Sequence, residues 1–180
     1  MKVKLAKTAG FCMGVRRAME IVLAEANRDN RIIHTFGPLI HNKQVLELLE
    51  SKGINAIENI EKLEEGTLVI RAHGIPPQQR KFLKSSGLKI IDATCPRVAR
   101  VQAIIRYHTN KGYATAIAGD RDHPEVIGLM GYANNSAFVI NSVDEVADLP
   151  DTEKLLIVAQ TTQDNRNYRE IVKAVTKRFP

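Results

Sequence analysis

Two cysteines, three histidines and a glutamate in this chain sit in turn-like contexts that suit chemistry. Cys12 lies in "AGFCMGVRRAM", between Gly10 and Gly14, and Cys95 lies in "DATCPRVARV". Each stands where an extended run gives way to a helical one, so each sulfur falls just before a helix start. Unpaired backbone N–H groups and the helix dipole favour negative charge there, and Arg16, Arg17 and Arg97 add positive potential. A thiolate binds soft metals and a thiol does not, so sulfur in these places is a better metal ligand than a thiol packed in a core. His41, His73 and His123 stand at turns near Pro or Gly. Such imidazoles can ligate a metal, although their spacings fit no common zinc signature, or they can donate hydrogen bonds to an anion such as a diphosphate. Glu125 follows His123 and Pro124, so a helix start would hold its carboxylate beside them, where it can pass on a proton. His34, inside an extended run, and His108, near a helix C-terminus, read as structural.

These residues need elements to position them. Apolar runs of strand length alternate with helix-period segments along the chain. "VKLAKTAG" reads as a strand before "VRRAMEIVLAEA", and "RIIHTFGPLI" as a strand before "KQVLELLESKG", which Gly53 closes. "TLVIRAHG" precedes a helix opened by Pro at "PPQQRKFLKSSG", and "LKIIDAT" leads into Cys95. The pattern then restarts with a helix at Pro96, a strand at "YATAIAGD", a short helix at "PEVIGLMGYA", strands at "AFVIN" and "LLIVAQTT", and a closing helix at "NRNYREIVKAVTKRF". Such alternation predicts an α/β fold with mostly parallel sheets and crossover helices.

The two halves align with each other. Cys12 and Cys95 are 83 positions apart, and His41 and His123 are 82 apart. The acidic segment running into "TLVIRAHG" matches the one running into "LLIVAQTT", which sets His73 opposite Thr161 and Thr162. We read an internal duplication: a first α/β module over residues 1–95 and a second over 96–180. In open parallel sheets ligands bind beyond the carboxyl ends of the strands. Nearly every predicted strand exit delivers one of the residues named above, so two modules facing each other would gather them at one pocket.

The bulk properties are those of an ordinary globular chain: 180 residues, 44% hydrophobic and 26% charged. The chain carries no apolar run long enough to span a bilayer and no signal-peptide pattern, so the expected compartment is the cytoplasm. Two cysteines make no disulfide framework. The net charge of +6 admits nucleic acid or a phosphorylated ligand as partner, but the basic residues look scattered along the sequence and read mostly as solvated surface.

Together these residues resemble the LytB/IspH family, the 4-hydroxy-3-methylbut-2-enyl diphosphate reductases of the non-mevalonate isoprenoid pathway. The resemblance runs over the whole chain. It is carried by "AGFCMGVRRAM", "GPLIHN", "VIRAHGIPP", "DATCPRV", "DHPEVIGLMG" and "QTT" at Gln160–Thr162. It implies three α/β modules arranged as a trefoil, of which this chain would supply two thirds. It implies a four-iron four-sulfur (4Fe-4S) cluster, with Cys12 and Cys95 as two of three cysteine ligands and one iron open for the substrate hydroxyl. Two electrons and protons would remove that hydroxyl as water, giving isopentenyl and dimethylallyl diphosphates. His41, His73 and His123 would hold the diphosphate, and Glu125 with Thr161 or Thr162 would deliver the proton. A ferredoxin or flavodoxin is the implied electron donor.

The resemblance also implies a third cysteine and a Ser-x-Asn segment in a third module, neither of which these 180 residues contain. Cubane clusters are held by thiolates, so this chain is expected to hold the cluster weakly, to be inactive alone, and to be a piece of a longer protein that includes a C-terminal module. Two other readings stand beside this one. One is a non-catalytic basic α/β protein binding phosphate or nucleic acid, although nucleic acid is not the expected partner. The other is a zinc or iron hydrolase using Cys, His and Glu.

Overall fold

The structure, a computed structural model, describes residues 1–7, 9–28, 32–60, 63 and 65–180. Helix α1 (Met13–Ala26) is followed by β1 (Ile33–Phe36), α2 (Lys43–Ser51), β2 (Asn55–Ile57), β3 (Thr67–Ile70), α3 (Pro77–Ser85) and β4 (Lys89–Asp92). Then come α4 (Pro96–Thr109), β5 (Ala114–Ala118), α5 (Pro124–Met130), β6 (Ala137–Ile140), a 3-10 turn (Asp144–Asp148), β7 (Leu155–Ala159) and α6 (Asn165–Arg178). The punctuation read from the sequence sets most of these bounds. The Asn42 side chain caps α2 by accepting from Val45 N at 3.0 Å. Gly53 takes φ +76° just past its end, a conformation that costs glycine little. Pro96 and Pro124 open α4 and α5, where the absent N–H would have no helical partner.

The strands form two sheets, and every pairing is parallel. The first has the order β2-β1-β3-β4 and the second β6-β5-β7. The strand arrangement of the second sheet repeats that of the first without its outer strand, as a duplication predicts. All four residues of β3 are buried, as expected of a parallel strand covered on both faces. Val22 of α1 and Leu49 of α2 pack with Ile33 and Val69 in one core cluster; Ile105 of α4 and Leu129 of α5 pack with Ile117 and Val158 in another.

Register brings the strand ends level. Phe36 pairs with Ile70, and Ile70 with Asp92, so the chain leaves β1, β3 and β4 from one edge. Ala118 likewise pairs with both Ile140 and Ala159. The two halves meet where α5 packs on the turn after β3: a Cβ on Gly131 would lie 2.7 Å from Pro76 Cβ, and one on Gly128 would lie 3.7 Å from the His73 carbonyl oxygen. No helix among the described residues is long and apolar enough to cross a membrane.

One predicted strand is absent. Residues 3–7, 9 and 10, the described part of the "VKLAKTAG" run, form no strand, and Val3 and Leu5 are 83% and 88% exposed. A strand must pair its backbone groups with a neighbour, and among the described residues this run pairs with neither edge strand of the four-stranded sheet, β2 or β4. Cys12 therefore caps α1 without a strand before it. The short β2 went unread in the sequence because only three of its residues pair. The acidic segment before β3 contains Glu61, Lys62 and Glu64, which lie outside the described residues; its counterpart in the second half is the 3-10 turn.

Candidate functional site

Each strand exit is tied to its neighbour by backbone hydrogen bonds. Ala72 N donates to Leu39 O at 3.2 Å, and Cys95 N to Ala72 O at 2.9 Å. The loop carrying His41, the loop carrying His73 and the turn carrying Cys95 are thereby stitched side by side. Leu39 and Ile40, both buried, anchor the first of these. Thr94 N donates to Asp92 Oδ1 at 2.9 Å, and Arg17 of α1 donates to Thr94 O at 3.2 Å. Arg17 thus links the helix that Cys12 caps to the turn that ends in Cys95.

Both cysteines are N-caps, Cys12 of α1 and Cys95 of α4, and neither side chain hydrogen-bonds to its own helix. Gly14 reports how their sulfurs are placed. A Cβ at Gly14 would lie 2.6 Å from Cys95 Sγ and 4.0 Å from Cys12 Sγ, so the sulfurs are at most 6.6 Å apart, the two distances taken together. Both thiols are free, and they face one space across the only kind of residue that leaves it open. Two soft donors at adjacent helix N-termini fit a sulfur-ligated metal centre.

The three histidines converge as well. Ring centroids of His41 and His73 are 4.6 Å apart, those of His41 and His123 5.3 Å, and those of His73 and His123 5.2 Å. One nitrogen from each lies within 4.8 Å of the others. Three imidazoles this close can gather on a metal ion or around the oxygens of a polyatomic anion. His123 Nδ1 accepts from Glu125 N at 3.1 Å, which leaves Nε2 to face outward as a donor. His73 Nδ1 is buried and has no partner among the described residues.

Burial first, then His41, His123 and Arg71, push His73 down to about 4 from the usual 6.5. Burial and His41 also lower His123, against an opposing pull from Glu125. A folded pKa below the unfolded value means that the unfolded chain takes the proton first. His73 therefore contributes fully to stability above about pH 6.5, and that contribution is lost as pH falls toward about 4. One such proton changes stability by up to about 1.4 kcal/mol per pH unit, and by less here because His73 is partly exposed. Thermal melts from pH 7.5 to 4.5 should show a steeper acid loss of Tm in the wild type than in His73→Gln; parallel profiles would contradict the assignment.

Glu125 is buried, and its carboxylate accepts twice from Thr161: from N to Oε1 and from Oγ1 to Oε2, both at 2.7 Å. Thr162 turns elsewhere, its Oγ1 accepting from Gln160 Nε2 at 2.9 Å. Gln160 Oε1 in turn accepts from Asp120 N at 3.0 Å and ties the exit of β7 to that of β5. Adjacent residues leaving a strand point opposite ways, which is why the sequence left the two threonines unresolved.

All eight residues singled out in the sequence line a single cavity of about 320 Å³: Cys12, Cys95, His41, His73, His123, Glu125, Thr161 and Thr162. Phe11, Gly14 and Asn42 complete much of its wall. His34 lies in β1 and His108 Nδ1 donates to Ile104 O at 2.9 Å; neither lines the cavity. Sequence reasoning missed Gly14, Arg17 and Gln160 as positioning residues. The glycine two places after a cysteine was the available signal for the first.

Residues 3–180 match the family model described as LytB protein. The chain belongs to the LytB family. This LytB chain is 44% identical over 179 residues to the 4-hydroxy-3-methylbut-2-enyl diphosphate reductase of Thermoanaerobacter sp. (strain X514), covering 97% of this chain and 62% of that protein. It is 40% identical over 190 residues to the reductase of the same name from Opitutus terrae, covering 99% of this chain and 66% of that protein. Its fold matches the solved E-1-hydroxy-2-methyl-but-2-enyl-4-diphosphate reductase from Plasmodium falciparum with a TM-score of 0.91 at 32% identity, covering 97% of this chain and 56% of that one. The LytB chain thus spans a little under two thirds of the length of these relatives.

Proposed function

We propose that this chain is the N-terminal part, two modules over residues 1–95 and 96–180, of a cytoplasmic reductase that converts 4-hydroxy-3-methylbut-2-enyl diphosphate to isopentenyl and dimethylallyl diphosphates. The reaction exchanges a C–OH bond for C–H, consumes two electrons and two protons, and releases water. A ferredoxin or flavodoxin is the proposed electron source. The observation that supports this reading is the single cavity shared by two sulfurs, three imidazoles and a buried carboxylate.

Cys12 and Cys95 would hold a four-iron four-sulfur cluster, with a third thiolate from outside these 180 residues, which contain two cysteines. When bound, such a cluster supplies electrons and a Lewis-acidic iron to a substrate beside it. The chain's own groups do the rest. His41, His73 and His123 would form a cradle of hydrogen-bond donors for the diphosphate. Thr161 Oγ1 now donates to the Glu125 carboxylate; once that carboxylate has taken up one of the two protons the reaction consumes, the bond can reverse, the carboxyl donating to Oγ1 as the hydroxyl passes its own proton to the leaving oxygen. Phe11, Val15 and Ile40 line the same cavity and would exclude water around the five-carbon chain.

The test is anaerobic reconstitution of the intact protein with iron and sulfide, followed by assay with the diphosphate alcohol. Appearance of both diphosphate products is expected, with little or none from residues 1–180 alone. Stoichiometric zinc with hydrolysis of the diphosphate would contradict the reading.

A further inference from the structure

The chain's positive charge, scattered in sequence, is gathered in space. Residues 77–111, which form α3, β4 and α4, carry eight Lys and Arg and one Asp, whereas the other 145 residues carry 18 Lys and Arg and 19 Asp and Glu. The whole excess of +6 therefore sits on this unit. Asp92, its one acid, is already paired with Arg80 at 2.5 Å. Lys81 and Lys84 of α3 face Arg106 of α4 across a groove of about 420 Å³. On its other flank α4 borders a groove of about 480 Å³ lined by Arg97 and Arg100 and by Thr161 of the candidate site. Helix α4 is thus a ridge with basic residues on both sides, and Cys95 caps its N-terminal end.

We propose that the α3–α4 ridge is the docking surface for an acidic electron-carrier protein. The inference rests on the reductase reading, which requires electrons from outside the chain. Each encounter would oxidise the carrier by one electron, and two encounters would supply the pair that the C–OH cleavage consumes. The charges extend about 14 Å along α4 from Arg97 to Arg106, at ~1.5 Å per residue, which is the scale of a protein face and not of a small anion. Phe82 and Tyr107 stand 47% and 56% exposed on the same two helices, and aromatic residues among arginines are characteristic of protein interfaces. A single nucleic-acid strand would instead need aromatic platforms inside a basic channel. Helix α4, the spine of that surface, begins at Cys95.

The test compares the intact wild-type protein with a Lys81→Glu, Lys84→Glu, Arg106→Glu variant, using an acidic plant-type ferredoxin as probe. Binding of the oxidised ferredoxin, followed by titration calorimetry at low salt, should weaken on the order of tenfold or more in the variant. The difference should shrink as salt is raised. Turnover driven by reduced ferredoxin should fall by a similar factor in kcat/KM, while turnover driven by reduced methyl viologen stays at the wild-type level. Equal ferredoxin binding by both proteins would overturn the docking surface, as would a short oligonucleotide that binds the ridge more tightly than ferredoxin and displaces it. A wild-type protein that turns over with neither reductant would instead sink the reductase reading itself.

Discussion

Replacing Cys12 or Cys95 by serine in the intact protein should each strip the iron, with retention after desalting falling by roughly tenfold or more. Loss of a ligand should cost at least what loss of a supporting group costs, about 10–100-fold in affinity. The effect should be specific to the centre. Cys12 is exposed and Cys95 half-buried, so neither substitution opens a cavity in the core, and the melting temperature of the iron-free protein should barely move. Gly14→Ala gives an independent arm, because its new methyl would meet Cys95 Sγ at 2.6 Å. The sulfur must swing away, so iron retention should fall although both cysteines remain. Normal iron content in either serine variant would remove that residue from the ligand set.

Glu125→Gln should lower kcat by about 10²–10⁴-fold, the range associated with a positioned proton donor, while leaving iron content and KM close to wild type. The amide is nearly isosteric, and its oxygen can still accept from Thr161 N, as Oε1 does now at 2.7 Å. Its NH2 group can donate to Thr161 Oγ1, reversing the present bond. The geometry should therefore survive while the transferable proton is lost. A rise in KM with kcat unchanged would show that Glu125 only shapes the binding site, and full activity would exclude it from proton delivery.

The route from sequence to this site was direct wherever a residue's role depends on its own strand end. His41, His73, Cys95 and His123 were legible because parallel sheets deliver their loops to one edge and because Pro and Gly marked where each strand stopped. Cys12 was placed correctly for a partly wrong reason. The expected strand before it has the right apolar alternation, but whether such a run forms a strand depends on a partner edge, which local pattern does not encode. Distances between the imidazoles rest on the register of β1 against β3 and on α5 packing, through Gly128 and Gly131, against the turn after β3, contacts made between distant segments. The basic face was hidden for a related reason: Lys81, Lys84 and Arg106 lie on different helices and become neighbours once α3 and α4 flank the same groove. Thr161 and Thr162 differ only in which way each leaves β7, a matter of one peptide's orientation.

The most direct measurement is a crystal structure of the anaerobically reconstituted intact protein, with the iron located by its anomalous scattering. The account predicts one compact iron peak within bonding distance of the sulfurs of Cys12 and Cys95, with the three histidines free of metal and facing the diphosphate site. Iron seated among His41, His73 and His123, with both sulfurs unliganded, would contradict it.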